Sequence, residues 1–191
     1  TPNNPTGNDL DAHAIQQVLE QFGGIVVVDE AYSDFSSFPA FRTQLHKYPS
    51  LMLLNTVSKA CASASIRMGI AFSSAEIIAL FNKVKYPYNI NKLTQDHASA
   101  LIDDAFKVQR WVAQIKEERA HMIPAFNELP VCQKVYPTGA NFFLAKVTDA
   151  DAIYHYLVDR GVIVRNRNRV EMCQGCLRIT IGTPQENNEL L

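Results

Sequence analysis

The sequence predicts an α/β protein in two parts. Residues 1–105 read as part of a large parallel-sheet domain, and residues 106–191 as a smaller α+β domain. Three observations predict this. Residues 25–32, "IVVVDEAY", form the β-branched run of a strand buried on both faces, the kind that belongs to parallel sheets covered by helices. Residues 50–58, "SLMLLNTVS", and 67–74, "RMGIAFSS", repeat that character. Beyond Pro124 the pattern changes to short strands around a helix.

Taken in order, "NNPTGND" (3–9) is a dense turn signal, and Asn8 or Asp9 is placed to cap the first helix. Apolar residues at Leu10, Ala14, Ile15, Val18, Leu19 and Phe22 make a helical stripe that Gly23 and Gly24 stop. The three strands come next. Ser73 with Glu76 predicts a capping box for a helix through "EIIALFNKVK" (76–85). Pro87 interrupts the pattern, and a long helix is expected from about Thr94 to Ile123, carrying the domain boundary. "CQKVYPTGANFFLAKV" (132–147) reads as paired strands and "DADAIYHYLVDRG" (149–161) as a helix ended by Gly161. "VIVRNR" (162–167) and "CLRITIGT" (176–183) read as further strands.

Composition excludes several roles. The chain has 191 residues, 47% hydrophobic and 19% charged, enough for a substantial core. Its 18 Lys+Arg and 19 Asp+Glu give a net charge of −1, so no basic stripe draws it to nucleic acid or an anionic membrane. The apolar runs are strand-sized, shorter than a membrane span. Cys61, Cys132, Cys173 and Cys176, with no secretory segment, point to reduced thiols and a cytoplasmic setting. Cys173 and Cys176 form a lone C-x-x-C without a second ligand pair, which reads as a thiol-bearing turn, not a metal site. The chain opens at Thr1-Pro2 inside turn chemistry, and a fragment of a longer protein is expected.

Ligands of open parallel sheets bind at the carboxyl ends of the strands, and polar residues gather there. Asp29 ends the first strand, with Tyr32 three residues on. Thr56, Ser58 and Lys59 end the second, and Arg67 leads into the third from the opposite direction. Asn4 lies in the turn before the first helix. Each residue alone has a plainer reading: Asp29 as a turn residue, Tyr32 as a packed aromatic, Lys59 as a surface lysine. A lone lysine among Ala60, Cys61, Ala62 and Ser63 suggests instead that something bulky sits against it.

"NNPTG", "VVVDEAY", "TVSKA" with Arg67 eight past the lysine, and "LRIT" together resemble the pyridoxal-phosphate aminotransferases of fold type I (class I/II). Within them, "VVVDEAYSDF", "ANFFL", "GVIVRNR" and "CLRITIGTPQEN" are similar to histidinol-phosphate aminotransferases. The resemblance implies pyridoxal 5'-phosphate as cofactor. Lys59 would bond to its aldehyde and carry the proton between Cα and C4′. Asp29 would hold the pyridine nitrogen protonated. Tyr32 and Asn4 would contact the ring's phenolic oxygen, and Thr56, Ser58 and Arg67 would hold the phosphate. Arg178 would take the α-carboxylate of the amino donor. Arg165 would take the substrate phosphate, with a solvated Arg165–Arg167–Arg169 cluster as the alternative. Asn141 would line the substrate site. The implied reaction moves an amino group between L-glutamate (returned as 2-oxoglutarate) and imidazole-acetol phosphate, whose amino form is histidinol phosphate, in histidine biosynthesis. A homodimer is also implied.

Two departures stand out: Cys61 replaces a Phe of many relatives, and Ser65 a Gly. The resemblance covers only the back half of such an enzyme. The upstream ring-stacking aromatic, phosphate loop and cross-subunit tyrosine are not in these residues, so this piece is expected to bind cofactor poorly alone. Other aminotransferases, a threonine-phosphate decarboxylase, or a non-catalytic aminotransferase-like regulatory domain stay open as alternatives. His13, His46, His97, His121 and His155 fit no ligand spacing and read as surface or helix residues.

Overall fold

The computed structural model describes residues 1–191. The chain divides into two compact units. Thr1 with Leu10–Trp111 forms the first, and Pro2–Asp9 with Val112–Leu191 forms the second.

The first unit opens with α1 (Ala12–Gln21). Its N-cap is Asp11, not Asn8 or Asp9: the Asp11 carboxylate accepts from the His13 N–H at 2.9 Å. Strands β1 (Val26–Asp29), β2 (Leu51–Thr56) and β3 (Gly69–Phe72) form a sheet in the order β1-β2-β3. β1 pairs parallel to β2 from Val26–Leu51 to Asp29–Leu54, and β2 pairs antiparallel to β3. The third strand therefore departs from the parallel pattern expected of it. The twelve residues (57–68) that join β2 to β3 contain one short 3-10 turn, Ala64–Ile66, and no α-helix, whereas a parallel return usually runs through a crossover helix.

The expectation of strands buried on both faces holds for β2 over Leu51–Leu53 and fails for β1. One face packs Val28, Leu51 and Leu53 with Leu19, Phe41 and Tyr48. On the other, Val27 is 53% exposed and Leu54 38% exposed, while Met52 on the same face is buried. That face is covered around Met52 but not at Val27 or Leu54, so the β-branched run of β1 is buried mainly on one side.

Helix α2 (Ala75–Val84) is capped by Ser74, whose hydroxyl accepts from the Ile77 N–H. Ser73, the expected cap, donates its hydroxyl to the Leu51 carbonyl at 2.7 Å and so ties the end of β3 to β2. The single long helix expected from Thr94 is two: α3 (Lys92–Asp103) and α4 (Ala105–Asn127), broken at Asp104. Asp104 leaves helical geometry at φ −109° and ψ 47°, and its carboxylate lies at the positive end of the α4 dipole, which favours starting a new helix there. α4 then runs through Pro124 for a further turn.

In the second unit, β4 (Cys132–Val135), β5 (Phe142–Val147), β6 (Arg165–Asn166) and β7 (Cys176–Thr180) make an antiparallel sheet ordered β4-β5-β7-β6. α5 (Ala150–Val158), capped by Asp149, comes after β5. α6 (Pro184–Leu190) closes the chain on a capping box, with Thr183 bonding the Glu186 N–H and Glu186 bonding the Thr183 N–H. Phe126, Phe143, Ala145, Leu177 and Ile179 form the core, with Phe126 and Phe143 edge to face at 5.4 Å. Of "VIVRNR", only Arg165 and Asn166 pair as strand, while Val164 is a core residue.

Candidate active site

In the first unit, β1 and β2 run parallel; β1 ends at Asp29, opposite Leu54, and β2 ends two residues further on at Thr56. The exposed Asp29 carboxylate accepts from the Ala31 N–H at 2.9 Å, closing a turn that brings Tyr32 into a buried position. Lys59 is half-buried, with Nζ 5.1 Å from the centre of the Tyr32 ring. A cation over a tyrosine face is held by the ring quadrupole, and none of the chain's ion pairs includes Lys59.

The hydroxyls after β2 form a compact donor cluster. Thr56 Oγ1 lies 2.8 Å from Ser58 Oγ, accepts from the Ser58 N–H at 3.0 Å and donates to the Met68 carbonyl at 3.0 Å. The last bond draws the ends of the Lys59–Arg67 loop together. Within it, the Ala62 N–H donates to the Lys59 carbonyl and the Ser63 N–H to the Val57 carbonyl. Ala62 and Arg67 both take left-handed backbone, at φ 50° and 55°, a region that side chains rarely favour and that clusters at functional sites. Arg67 is exposed and uses Nη1 on the Ala64 carbonyl at 2.9 Å, which leaves other guanidinium N–H groups available.

The remaining candidates belong to the second unit. Arg178 Nη1 donates to Asn4 Oδ1 at 2.6 Å, and its guanidinium lies 4.7 Å over the Phe142 ring. Asn4 is held there by backbone geometry. Gly7 has φ +81°, the Gly139 N–H donates to its carbonyl at 2.8 Å, and a Cβ at Gly7 would meet Thr138 Oγ1 at 2.5 Å. Arg165 stands directly opposite Arg178 across β6 and β7. Asn141 is half-buried at the start of β5, and its carbonyl accepts from the Ile181 N–H at 2.9 Å. Arg165, Arg167 and Arg169 also line a cavity of about 540 Å³ with Tyr154 and His155, where Asp151 bonds Asn166 and Asn168. Those two amides hold the Asp151 carboxyl below its usual range.

Thus Asp29, Tyr32, Thr56, Ser58, Lys59 and Arg67 share the first unit, while Asn4, Asn141, Arg165 and Arg178 share the second. His97, which the sequence places only as a surface or helix residue, has its Nε2 3.0 Å from Ser63 Oγ in the lysine loop. An isolated histidine in a helix carries no sequence signal of such a contact.

The sequence profile of the aminotransferase class I and II family matches residues 1–191. The chain belongs to this family. Among similar members, a histidinol-phosphate aminotransferase of Bacteroides fragilis (strain YCH46) is 52% identical over all 191 residues, which are 55% of that protein. The chain therefore spans about half the length of the relatives it matches. The crystal structure of the histidinol-phosphate aminotransferase from Clostridium acetobutylicum has a TM-score of 0.91 at 23% identity, covering 99% of this chain and 59% of that one. The L-threonine-O-3-phosphate decarboxylase from Porphyromonas gingivalis has a TM-score of 0.86 at 21% identity, covering 98% and 59%. These likenesses establish the fold of this chain as the type I fold expected from its motifs. They do not separate the two activities, because one backbone serves both.

Proposed function

We propose that this aminotransferase chain carries the back half of a pyridoxal-phosphate transaminase acting on histidinol phosphate, with glutamate and 2-oxoglutarate as the other couple. The observation that carries the reading is the gathering of Lys59, Tyr32, Asp29, Thr56 and Ser58 where β1 and β2 end. The donor set fits the cofactor: a half-buried amine, a carboxylate on the adjacent strand end, paired hydroxyls and a guanidinium. Pyridoxal phosphate, when bound, supplies an electron sink that makes the substrate Cα–H acidic.

The chain's own residues would do the rest. Lys59, unhindered by any ion pair, attaches the cofactor and then holds or returns the moving proton. Asp29 keeps a positive charge on the pyridine nitrogen. The Thr56 and Ser58 hydroxyls and the free N–H groups of Arg67 take the phosphate, which the planar fork of arginine suits. Asn4 accepts from Arg178 through Oδ1 and keeps its amide hydrogens for the phenolic oxygen of the ring. Arg178, oriented by Asn4 and Phe142, takes the donor carboxylate. Arg165 takes the substrate phosphate, and Asn141 lines the substrate side.

The histidinol-phosphate assignment rests on relatives named for that activity. It is supported by the Arg165–Arg178 pair, because two guanidiniums in one cross-strand register call for an anion between them. A pair of copies of the intact protein is the expected assembly. The four free thiols suit the cytoplasm, and no helix is long and apolar enough to cross a membrane.

The test is to mix the intact protein with pyridoxal phosphate, reduce with borohydride and map the labelled peptide by mass spectrometry. Stoichiometric label on Lys59, lost in Lys59→Ala, is expected; label scattered over surface lysines there refutes a working site. Rates of the intact protein with histidinol phosphate, aromatic amino acids and threonine phosphate then decide the substrate. Preference for either of the last two overturns that part of the reading.

A further inference from the structure

We propose that His97 is a positioning residue: through Ser63 it anchors the loop that carries Lys59 and Arg67. The inference rests on the reading of Lys59 as the cofactor lysine and adds a residue to that site. Its basis is a count of hydrogens. Ser63 is buried, and its one hydroxyl hydrogen is directed to the Cys61 carbonyl at 2.8 Å. The contact of Ser63 Oγ with His97 Nε2 at 3.0 Å must then run the other way, with His97 donating and Ser63 accepting. The relay is His97 Nε2–H to Ser63 Oγ, then Ser63 O–H to the Cys61 carbonyl. It works equally with a neutral imidazole protonated at Nε2 and with an imidazolium.

This relay acts where the loop most needs fixing. The Ser63 N–H already holds the Val57 carbonyl, and the Ala62 N–H holds the Lys59 carbonyl through a left-handed Ala62. A strained turn of small residues has little side-chain packing to hold it and relies on its hydrogen bonds. α3 supplies a second tie from the same face, three residues from His97: Thr94, itself buried, donates its hydroxyl to the Ile66 carbonyl at 3.3 Å. α3 thus grips the loop at Ser63 and at Ile66, one residue before Arg67. The side chain that would bond the cofactor and the one that would hold its phosphate are set by one helix.

The test compares the parent chain with His97→Leu and His97→Gln, since glutamine keeps an amide donor that can take the place of Nε2–H. Hydrogen exchange at the Ala62 and Ser63 amides reads the loop directly and needs no cofactor. Removing one net hydrogen bond predicts exchange about fivefold faster in His97→Leu, with His97→Gln within about twofold of the parent. Labelling of Lys59 in the intact protein by pyridoxal phosphate and cyanoborohydride should fall in the same order. If His97→Leu is unfolded by circular dichroism, Ser63→Ala, which removes the middle of the relay and leaves α3 intact, replaces it with the same expectation. Exchange in His97→Leu equal to the parent, or equally raised in both His97 variants, overturns the proposal. Should the exchange pattern hold while the intact protein shows no selective label at Lys59, the cofactor reading falls and the anchor stands.

Discussion

Replacing Arg165 by glutamine should stabilise the second unit in the absence of anions and remove its response to phosphate. Arg165 and Arg178 face each other across β6 and β7. Side chains in such a pair leave their strands about 5 Å apart. Arg165 is exposed and can lean into solvent, so a charge separation of about 6.5 Å in a water-like dielectric gives a repulsion of about 0.6 kcal/mol. Salt at about 0.5 M, with a Debye length near 4 Å, should screen most of it. Phosphate bound between the two guanidiniums at about ten times its dissociation constant should stabilise the parent by about 1.4 kcal/mol. The assay is hydrogen exchange at the β7 amides of Leu177 and Ile179, which are core residues of the second unit and report that unit alone. Expected are slower exchange in Arg165→Gln than in the parent at low salt, convergence at high salt, and phosphate protection in the parent only. If Arg165→Gln loses protection at low salt, or if phosphate protects both proteins equally, the pair is not an anion site.

Glu30 is 2% exposed and its carboxylate accepts from the Phe41 N–H. Burial raises its pKa above the usual value, opposed by that hydrogen bond and by Arg42. A raised carboxyl pKa in the folded state means full stability while both states are protonated. Stability is then lost as pH rises from the ordinary carboxyl value through the raised one. Glu30→Gln keeps an oxygen for Phe41, so its thermal midpoint should lack this fall, whereas Glu30→Ala strands the N–H and should cost about 2 kcal/mol at any pH. Gly7→Ala places a methyl at φ +81° against Thr138, and should lower the stability of the second unit by about 2 kcal/mol in denaturant titration and loosen the Asn4–Arg178 contact. Phe143→Ala empties a fully buried site against Phe126, with an expected loss of about 4 kcal/mol by the same titration.

Strand and helix existence was legible wherever burial and periodicity agree: β1, β2, α1, α2, β5, α5 and β7 come directly from runs and stripes in the sequence. What was not legible depended on partners remote in the chain. The direction of β3 depends on its connection folding as a tight loop with no crossover helix. The exposure of Val27 and Leu54 depends on what else is present to cover them, which a β-branched run does not encode. Ser74 rather than Ser73 caps α2 because Ser73 is already bonded to the Leu51 carbonyl, 22 residues back. α6, missed altogether, announces itself only by the Thr183–Glu186 box in a short polar segment. The candidate site was legible in its residue types, through their spacing and family motif. Its division was not: Asn4 belongs with Arg178, 174 positions away, because Gly7 closes the N-terminal turn onto Thr138 and Gly139.

Several residues that carry the candidate chemistry also break local rules of stability. A half-buried lysine outside every ion pair, an arginine and an alanine in left-handed backbone, and two arginines opposed across a strand pair each cost free energy without a visible structural return. Other residues break such rules too: Tyr88 and Met172 take left-handed backbone at φ 56° and 61°, and Glu30 and Asn187 are buried polar groups. A fold selected for stability alone would replace Arg165 with a neutral residue and relax Arg67 with a glycine. Retaining both is explained if an anion is bound at each, one between Arg165 and Arg178 and one at the Thr56–Ser58–Arg67 loop. A phosphorylated cofactor and a phosphorylated or carboxylated substrate together supply those two anions, which a cofactor alone or a substrate alone does not.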